Sequence, residues 1–183
     1  MRVLALIAML VPLGDAVCAT SRVQHPYREH WKQETCGKRA VIGVTAGASV
    51  NQLTHHPKQW GGGVTGFGKR LGSGFATHAV KTTVEHAIAA PLHEDLHYHR
   101  STQSGVGPRL RHALVSTVVT TNTKSGKRTP AVGRISGHAA AGAFSQAIIP
   151  AASGASTAGI GLAADAGVNV AREFWPRRTG QHR

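Results

Sequence analysis

The sequence predicts a mainly α-helical protein: one compact domain of about four helices rich in alanine and glycine, packed through small residues and preceded by a loosely ordered basic arm. Apolar residues recur at helical spacing through the second half of the chain. The 183 residues include 22 glycines and only 5% aromatic residues, so the core must be built from small side chains. The apolar fraction of 41% is sufficient for one globular domain.

Residues 1–19 have the pattern of a signal peptide. Arg2 supplies a positive start, residues 3–14 are apolar, and Val17-Cys18-Ala19 offers the small residues that a signal peptidase reads. This apolar run is too short to cross a bilayer as a helix. We therefore expect cleavage before Thr20 and export to the periplasm or the outer envelope, with peripheral contact to a membrane left open.

The chain has two cysteines, Cys18 and Cys36. Cleavage before Thr20 removes the first, and Cys36 is then predicted to be a buried small apolar group, with pairing between chains as the alternative. Lipidation at Cys18 is disfavoured because Asp15 and Val17 depart from the usual lipobox at its first and last positions.

Residues 20–61 are interpreted as the loosely ordered basic arm, because their apolar residues have no sustained period. Tyr27 and Trp31 are four residues apart and would meet on a short docking turn of helix. The triplet at 61–63 is all glycine and marks the start of the helical domain, residues 62–176. Residues 177–183 form a basic tail.

The first helix of the domain is predicted from Gly66 to about Ala90, where Val80, Val84, Ala87 and Ile88 lie at helical spacing and Pro91 follows.

A second helix is predicted to start at Gly107-Pro108 and to continue to Thr121, because apolar and threonine residues follow a helical period: Leu110, Ala113, Leu114, Thr117, Val118 and Thr121. The alternative is a hairpin, in which the β-branched run 115–123 turns at 124–127 into a strand over 129–135. The helix is preferred because its period begins before the β-branched run.

Between Ala131 and Ala171 the chain has 14 alanines and 7 glycines. We predict two helices here, separated by residues 150–156. The first carries Val132, Ile135, Ala139, Ala143 and Ile148, and the second carries Ile160, Ala163, Gly167, Ala171 and Trp175. Gly133, Gly137 and Ala141 recur at spacing four, which lets helix axes approach closely, an arrangement common between helices in membranes.

Twenty-one basic residues against eight acidic ones give a net charge of +13. This charge predicts an anionic partner, either lipid or polysaccharide, or an envelope protein. The basic residues are scattered in pairs, and no recognition motif accompanies them, so specific binding of nucleic acid is not expected. The oligomeric state is open.

Four segments, Ser116–Thr120, Gly126–Thr129, Asp165–Val170 and Arg172–Pro176, resemble a group of small exported bacterial proteins of uncharacterised function. The resemblance covers roughly residues 66–176. It implies an envelope location and supplies no catalytic residues.

One motif could carry chemistry, His93-Glu94-Asp95-Leu96-His97. On a helix, His93 and His97 would bind zinc and Glu94 would activate the bound water. A third ligand would have to come from a distant residue, and the candidates are Asp165, Glu173, His112 and His138. The alternative is a histidine-rich segment that connects two helices and is exposed to water. This alternative is favoured because a chain with twelve histidines can contain the motif by chance. The residues on either side of the motif also leave room for a helix of about three turns at most.

The sequence thus predicts a non-catalytic exported envelope protein with a structural or binding role and no cofactor. The alternative is a zinc-dependent hydrolase that uses His93, Glu94 and His97.

Overall fold

The structure, a computed structural model, describes residues 26–149 and 153–175. This part of the chain contains six α-helices, a 3₁₀ turn over Lys58–Trp60 and one two-stranded hairpin. The mainly α-helical fold predicted from the sequence is confirmed. The helices are α1 (Pro26–Cys36), α2 (Lys38–Leu53), α3 (Gly63–Leu92), α4 (Val106–Val115), α5 (Val132–Ile148) and α6 (Gly154–Phe174), and the hairpin strands are β1 (Val119–Thr121) and β2 (Arg128–Pro130).

Helix α3 is the longest element, with 30 residues and a length of about 45 Å. Helices α1, α2 and α5 pack against it, α6 packs against α5, and α4 packs against α6. The domain is therefore built outward from α3, and α5 is the helix that connects α3 to α6.

The contact between α3 and α5 depends on glycine. A Cβ atom added to Gly137 would lie 2.8 Å from the Lys81 carbonyl oxygen, and one added to Gly133 would lie 2.8 Å from the Glu85 carbonyl oxygen. Both glycines are buried, as is Ala141 one turn further along. The predicted close packing through small residues at spacing four is present at this interface.

Several large apolar side chains of α5 and α6 face outward from this packing. The buried apolar residues of the described part are all alanines: Ala40, Ala48, Ala89, Ala113, Ala131 and Ala141. Val132 and Ile135 on α5 are exposed, and Ile160 on α6 is 70% exposed. The apolar spacing correctly locates α5 and α6, but these residues face away from the helix contacts, because helices whose backbones touch leave no space for a branched side chain between them.

The predicted helix from Gly107 to Thr121 is present only as far as Val115, and the hairpin alternative is correct after it, with strands shorter than 115–123 and 129–135 because α5 begins at Val132. Helix α4 ends at Val115, and β1 pairs with β2 in antiparallel register, with Thr120 opposite Thr129. The β-branched residues favour the extended strand, and Gly126 supplies the positive φ of 66° that the turn requires. Local strand preference therefore overrides the helical period from Ser116 onward.

Residues 26–53 are more ordered than the loosely ordered arm expected for 20–61, since they form α1 and α2. Residues 40–53 of α2 contain no charged side chain and pack on α3. Trp31 on α1 donates a hydrogen bond from its indole Nε1 to Thr83 Oγ1 at 3.2 Å. Residues 26–53 are ordered because α1 and α2 pack on α3. A short segment with a weak apolar period gives no sign of such packing in its own sequence.

The predicted helix 66–90 is slightly longer at both ends. Helix α3 begins at Gly63 and includes Pro91 in its last turn. The proline is tolerated there because it deletes a hydrogen bond only at the frayed end of the helix. His93 follows with a left-handed φ of 53° and terminates α3.

Cys36 is in a disulfide, so the prediction of a buried, unoxidised small residue is wrong. The sequence contains one other cysteine, Cys18, which lies outside the described residues. The expected signal peptide (1–19) and the basic tail (177–183) also lie outside the described part of the chain.

The packing predicts opposite effects of alanine at two helical glycines. Gly137→Ala should destabilise the protein by about 1–3 kcal/mol, because the new methyl group overlaps the α3 backbone. The control, Gly167→Ala on α6, should stabilise it by up to about 1 kcal/mol, since that site is open and alanine is the better helix former. Urea denaturation followed by circular dichroism measures both changes, and equal effects would contradict the proposed interface.

Candidate functional site

The charged side chains between α3, α5 and α6 face one another. Lys81 Nζ lies 3.3 Å from Glu85 Oε2 and 3.3 Å from Asp165 Oδ2. Arg134 Nε lies 3.5 Å from Glu85 Oε1, and His138 Nε2 lies 2.8 Å from Asp165 Oδ2. These five residues form an ion network that joins the three helices.

The environment keeps the acid and the base of this network charged. Burial alone would raise the pKa of Asp165, but the hydrogen bond from His138 and the charge of Lys81 lower that pKa to about 2. Burial would lower the pKa of Lys81, but Glu85 and Asp165 raise it. His138 is bonded through Nε2 to Asp165 Oδ2, so its ring links α5 to α6 within the network.

Arg70 is a second inward-facing charge, near the start of α3, and it is only 2% exposed. Its guanidinium donates to the carbonyl oxygens of His56, Pro57 and Gly61 at 2.8–3.1 Å and to Gln52 Oε1 at 2.7 Å. Arg70 therefore holds the loop between α2 and α3 against the helix, a structural role.

Glu173, near the end of α6, is fully buried. It accepts hydrogen bonds from Tyr98 Oη at 2.6 Å, from the Ser101 N–H at 3.0 Å and from Arg109 Nε at 2.9 Å. Burial opposes ionisation, but these donors outweigh it and lower the pKa of Glu173 to about 2. Burial and the neighbouring carboxylate raise the pKa of Tyr98. Glu173 thus ties α4 and the segment before it to α6.

The predicted zinc motif does not lie on a helix. Helix α3 ends at Leu92, and the left-handed backbone of His93 turns the chain away from the helix axis. Glu94 is only 3% exposed, and its carboxylate accepts the N–H groups of Val132 and Gly133 at 2.9 and 3.0 Å. Glu94 therefore caps the N-terminus of α5, where a negative charge is favourable.

Asp95 binds the side chains of two histidines that follow it, His97 and His99. His97 is exposed and its Nδ1 lies 3.3 Å from Asp95 Oδ1, while His99 Nε2 lies 2.7 Å from Asp95 Oδ2. Burial raises the pKa of Asp95, but the hydrogen bond from the His97 backbone N–H at 2.9 Å and the contacts of the His99 and His97 side chains lower it. The i, i+4 geometry on which the predicted pairing of His93 with His97 depends is absent.

The four candidate third ligands are engaged elsewhere. Asp165 and His138 bind each other in the ion network, Glu173 binds Arg109, and His112 Nε2 is 2.9 Å from the His99 carbonyl oxygen. Over residues 26–149 and 153–175, no group of three histidine, cysteine, aspartate or glutamate side chains is placed to hold a metal ion.

The outward-facing apolar side chains form the other candidate site. They lie on several helices and on the segments beside them, and we call them the apolar surface: Val41, Ile42, Val50, Leu53, Val64, Leu92, Val106, Leu110, Leu114, Val118, Val132, Ile135, Ile148, Ile160, Val168, Phe174 and Trp175. Leu53 is 80% exposed. The only charged residue of α6 before Arg172 is Asp165, which is held in the ion network.

Sequence reasoning did not identify three of these features: the cap by Glu94, the loop anchor Arg70, and the outward direction of the apolar residues. The glycines at spacing four on α5 did signal the outward direction of the apolar residues. If the small residues of a helix form its packing face, the large apolar residues on its opposite face must point away from the neighbouring helix. The first two depend on contacts between distant segments and leave no local pattern.

No helix in the described residues is long and apolar enough to span a membrane. No protein-family model matches the chain, and no curated protein sequence or solved structure is similar to it.

The position of Glu94 predicts a structural, metal-independent effect. Glu94→Ala should lower the free energy of unfolding by about 1–3 kcal/mol, because it leaves two N–H groups at the start of α5 without an acceptor. The control, His97→Ala, removes an exposed side chain and should change stability by no more than about 0.5 kcal/mol. Urea denaturation should give the same differences with and without a chelator. Loss of hydrolysis in both variants, with loss of bound zinc in His97→Ala alone, would instead support the hydrolase alternative.

Proposed function

We propose that the protein is a non-catalytic exported envelope protein that binds an anionic membrane surface through its outward-facing apolar side chains. The observation that carries the proposal is the number of large apolar side chains that remain exposed. The fully buried residues include alanines and paired charges, while isoleucine, leucine, valine and tryptophan side chains are exposed on several helices.

Isolated apolar side chains are common on protein surfaces, but here single helices carry several of them. Ile42 and Val50 lie two helical turns apart on α2, and Ile160 and Val168 lie two turns apart on α6. Burying such a side chain is worth about 1.5–3 kcal/mol. A surface of this kind gains free energy when it enters the boundary between lipid headgroups and acyl chains.

The end of α6 has the residue types that favour this boundary. Trp175 is 69% exposed and lies directly after Phe174, which is also exposed. Aromatic rings are favoured where an apolar layer meets a polar one. Arg172 in the last turn of α6 is exposed and can meet an anionic headgroup.

The excess of positive charge supports an anionic surface as the partner. The exposed basic residues include Lys38 and Arg39 at the start of α2 and three in the hairpin, Lys124, Lys127 and Arg128. They attract anionic lipid over about one Debye length, ~10 Å at 0.1 M salt. Attraction at long range and burial of the apolar surface at contact would then act together.

Export is supported by the pattern of residues 1–19, which has the positive start, the apolar run and the small residues of a cleavable signal peptide.

Vesicle binding tests the proposal. The protein should cosediment with vesicles that contain phosphatidylglycerol and bind weakly to purely zwitterionic vesicles. Ile160→Lys adds a positive charge but removes an apolar contact, so it should weaken binding at least several-fold. The control, Gln59→Lys, adds the same charge at an exposed residue outside the apolar surface and should bind at least as well as the wild type.

Two results would contradict the proposal. One is the absence of vesicle binding by the wild type at low salt. The other is equal binding by the two lysine variants, which would leave the apolar surface without a role. A dimer that Ile160→Lys dissociates, without vesicle binding by the wild type, would assign the surface to a second copy of the chain.

A further inference from the structure

A cavity of about 500 Å³ lies between the segment 100–105 and the end of α6. Its lining includes two arginines, Arg100 and Arg109, a run of small polar residues from the segment, and the aromatic residues Phe174 and Trp175. None of these residues has a role in the contacts between α3 and α5, so the cavity is separate from the ion network.

Arg109 lies in the wall of the cavity, and two nitrogens of its guanidinium are held by Glu173. Nε donates to Glu173 Oε1 at 2.9 Å, and Nη2 donates to the Glu173 carbonyl oxygen. The guanidinium carbon lies 4.8 Å from the centre of the Phe174 ring, which restricts it further. Among the described residues, Nη1 of Arg109 has no hydrogen-bond acceptor, so this donor is held in place and remains available.

Arg100 is a second donor, at the edge of the same cavity. It is half-buried, and it donates no hydrogen bond to any residue in the described ranges. The hydroxyl groups of Thr102 and Ser104 lie in the same lining and likewise have no hydrogen-bond partner there. The cavity therefore contains one half-buried guanidinium and two exposed hydroxyl groups that no described residue engages.

The one acidic group in the lining does not repel an anion from the cavity. The Glu173 side chain is fully buried, and its oxygens are already bound by Tyr98, Ser101 and Arg109. Among the charged residues of the lining, the positive charge of Arg109 cancels the negative charge of Glu173, and the positive charge of Arg100 remains. The formal charge of the lining is then +1, which favours an anionic ligand.

We infer that this cavity binds a phosphate group, with Arg100 and Nη1 of Arg109 as its charged donors. Arginine pairs strongly with oxyanions, and a phosphate offers more acceptor oxygens than a carboxylate to donors spread around a cavity. The inference deepens the proposed function and rests on it in part. The phosphate is that of an anionic phospholipid headgroup or of a soluble phosphate ester, because the two present the same oxygens.

Calorimetric titration of the full-length protein with glycerol 3-phosphate and with inorganic phosphate tests the cavity without a membrane. Arg100→Gln should weaken binding by about tenfold, since a charge-assisted hydrogen bond is lost. Arg111→Gln makes the same change of charge at an exposed residue of α4 outside the cavity, and it should stay within about twofold of the wild type. Circular dichroism melts verify that both variants are folded.

The same variants on phosphatidylglycerol vesicles distinguish the two sources of phosphate. Binding of glycerol 3-phosphate that depends on Arg100 supports a soluble ester, whereas dependence on Arg100 that is seen only with vesicles supports the headgroup. Equal behaviour of Arg100→Gln and Arg111→Gln in both assays would overturn the inference. If Ile160→Lys still weakened vesicle binding in that case, the proposed function would stand without the cavity. Phosphate binding without vesicle binding would refute the membrane proposal and leave the cavity assigned.

Discussion

The backbone of α5 lies against α3 at Gly133 and Gly137, with no space for even a methyl group at either position. This contact sets the distance between the two central helices and excludes large side chains from the interface. The apolar residues of α5 must then face outward, as Val132 and Ile135 do. Glu94 fixes the start of α5 relative to the end of α3 by capping it, so the same interface is held at its end by a buried carboxylate.

Buried ion pairs hold some of the helices together, a role that a hydrophobic core has in most soluble domains. Lys81, Glu85, Arg134, His138 and Asp165 join α3, α5 and α6, and Glu173 joins α6 to α4 through Arg109. Buried ion pairs contribute little net stability, because desolvation offsets their attraction. The ion pairs nevertheless specify how the helices are aligned, because a helix shifted along its axis would leave a buried charge without its partner. The arrangement of the helices thus depends on the close approach of α3 and α5 and on the pairing of buried charges. The exposed apolar side chains of α5 and α6 take no part in these contacts.

The sequence predicted the helical class and the positions of α3, α5 and α6, because apolar spacing and the glycine repeat are local signals. It did not predict the end of α4, where β-branched residues after Val115 override a helical period that continues through Thr121. The zinc motif failed as a geometric prediction because spacing implies proximity only within a helix, and His93 terminates α3. The cavity lined by Arg100, Arg109 and Trp175 was not predicted, since these residues meet only in the folded chain.

The outward orientation of the apolar side chains is the central claim, and hydroxyl-radical footprinting of the monomeric protein measures it directly. Ile160 and Leu162 lie two residues apart on α6, the first exposed and the second half-buried. In water, Ile160 should be oxidised faster than Leu162, and phosphatidylglycerol vesicles should reduce the oxidation of Ile160 more than that of Leu162. Equal protection of both residues in the vesicle-free monomer would contradict the account, because it would place Ile160 inside the fold.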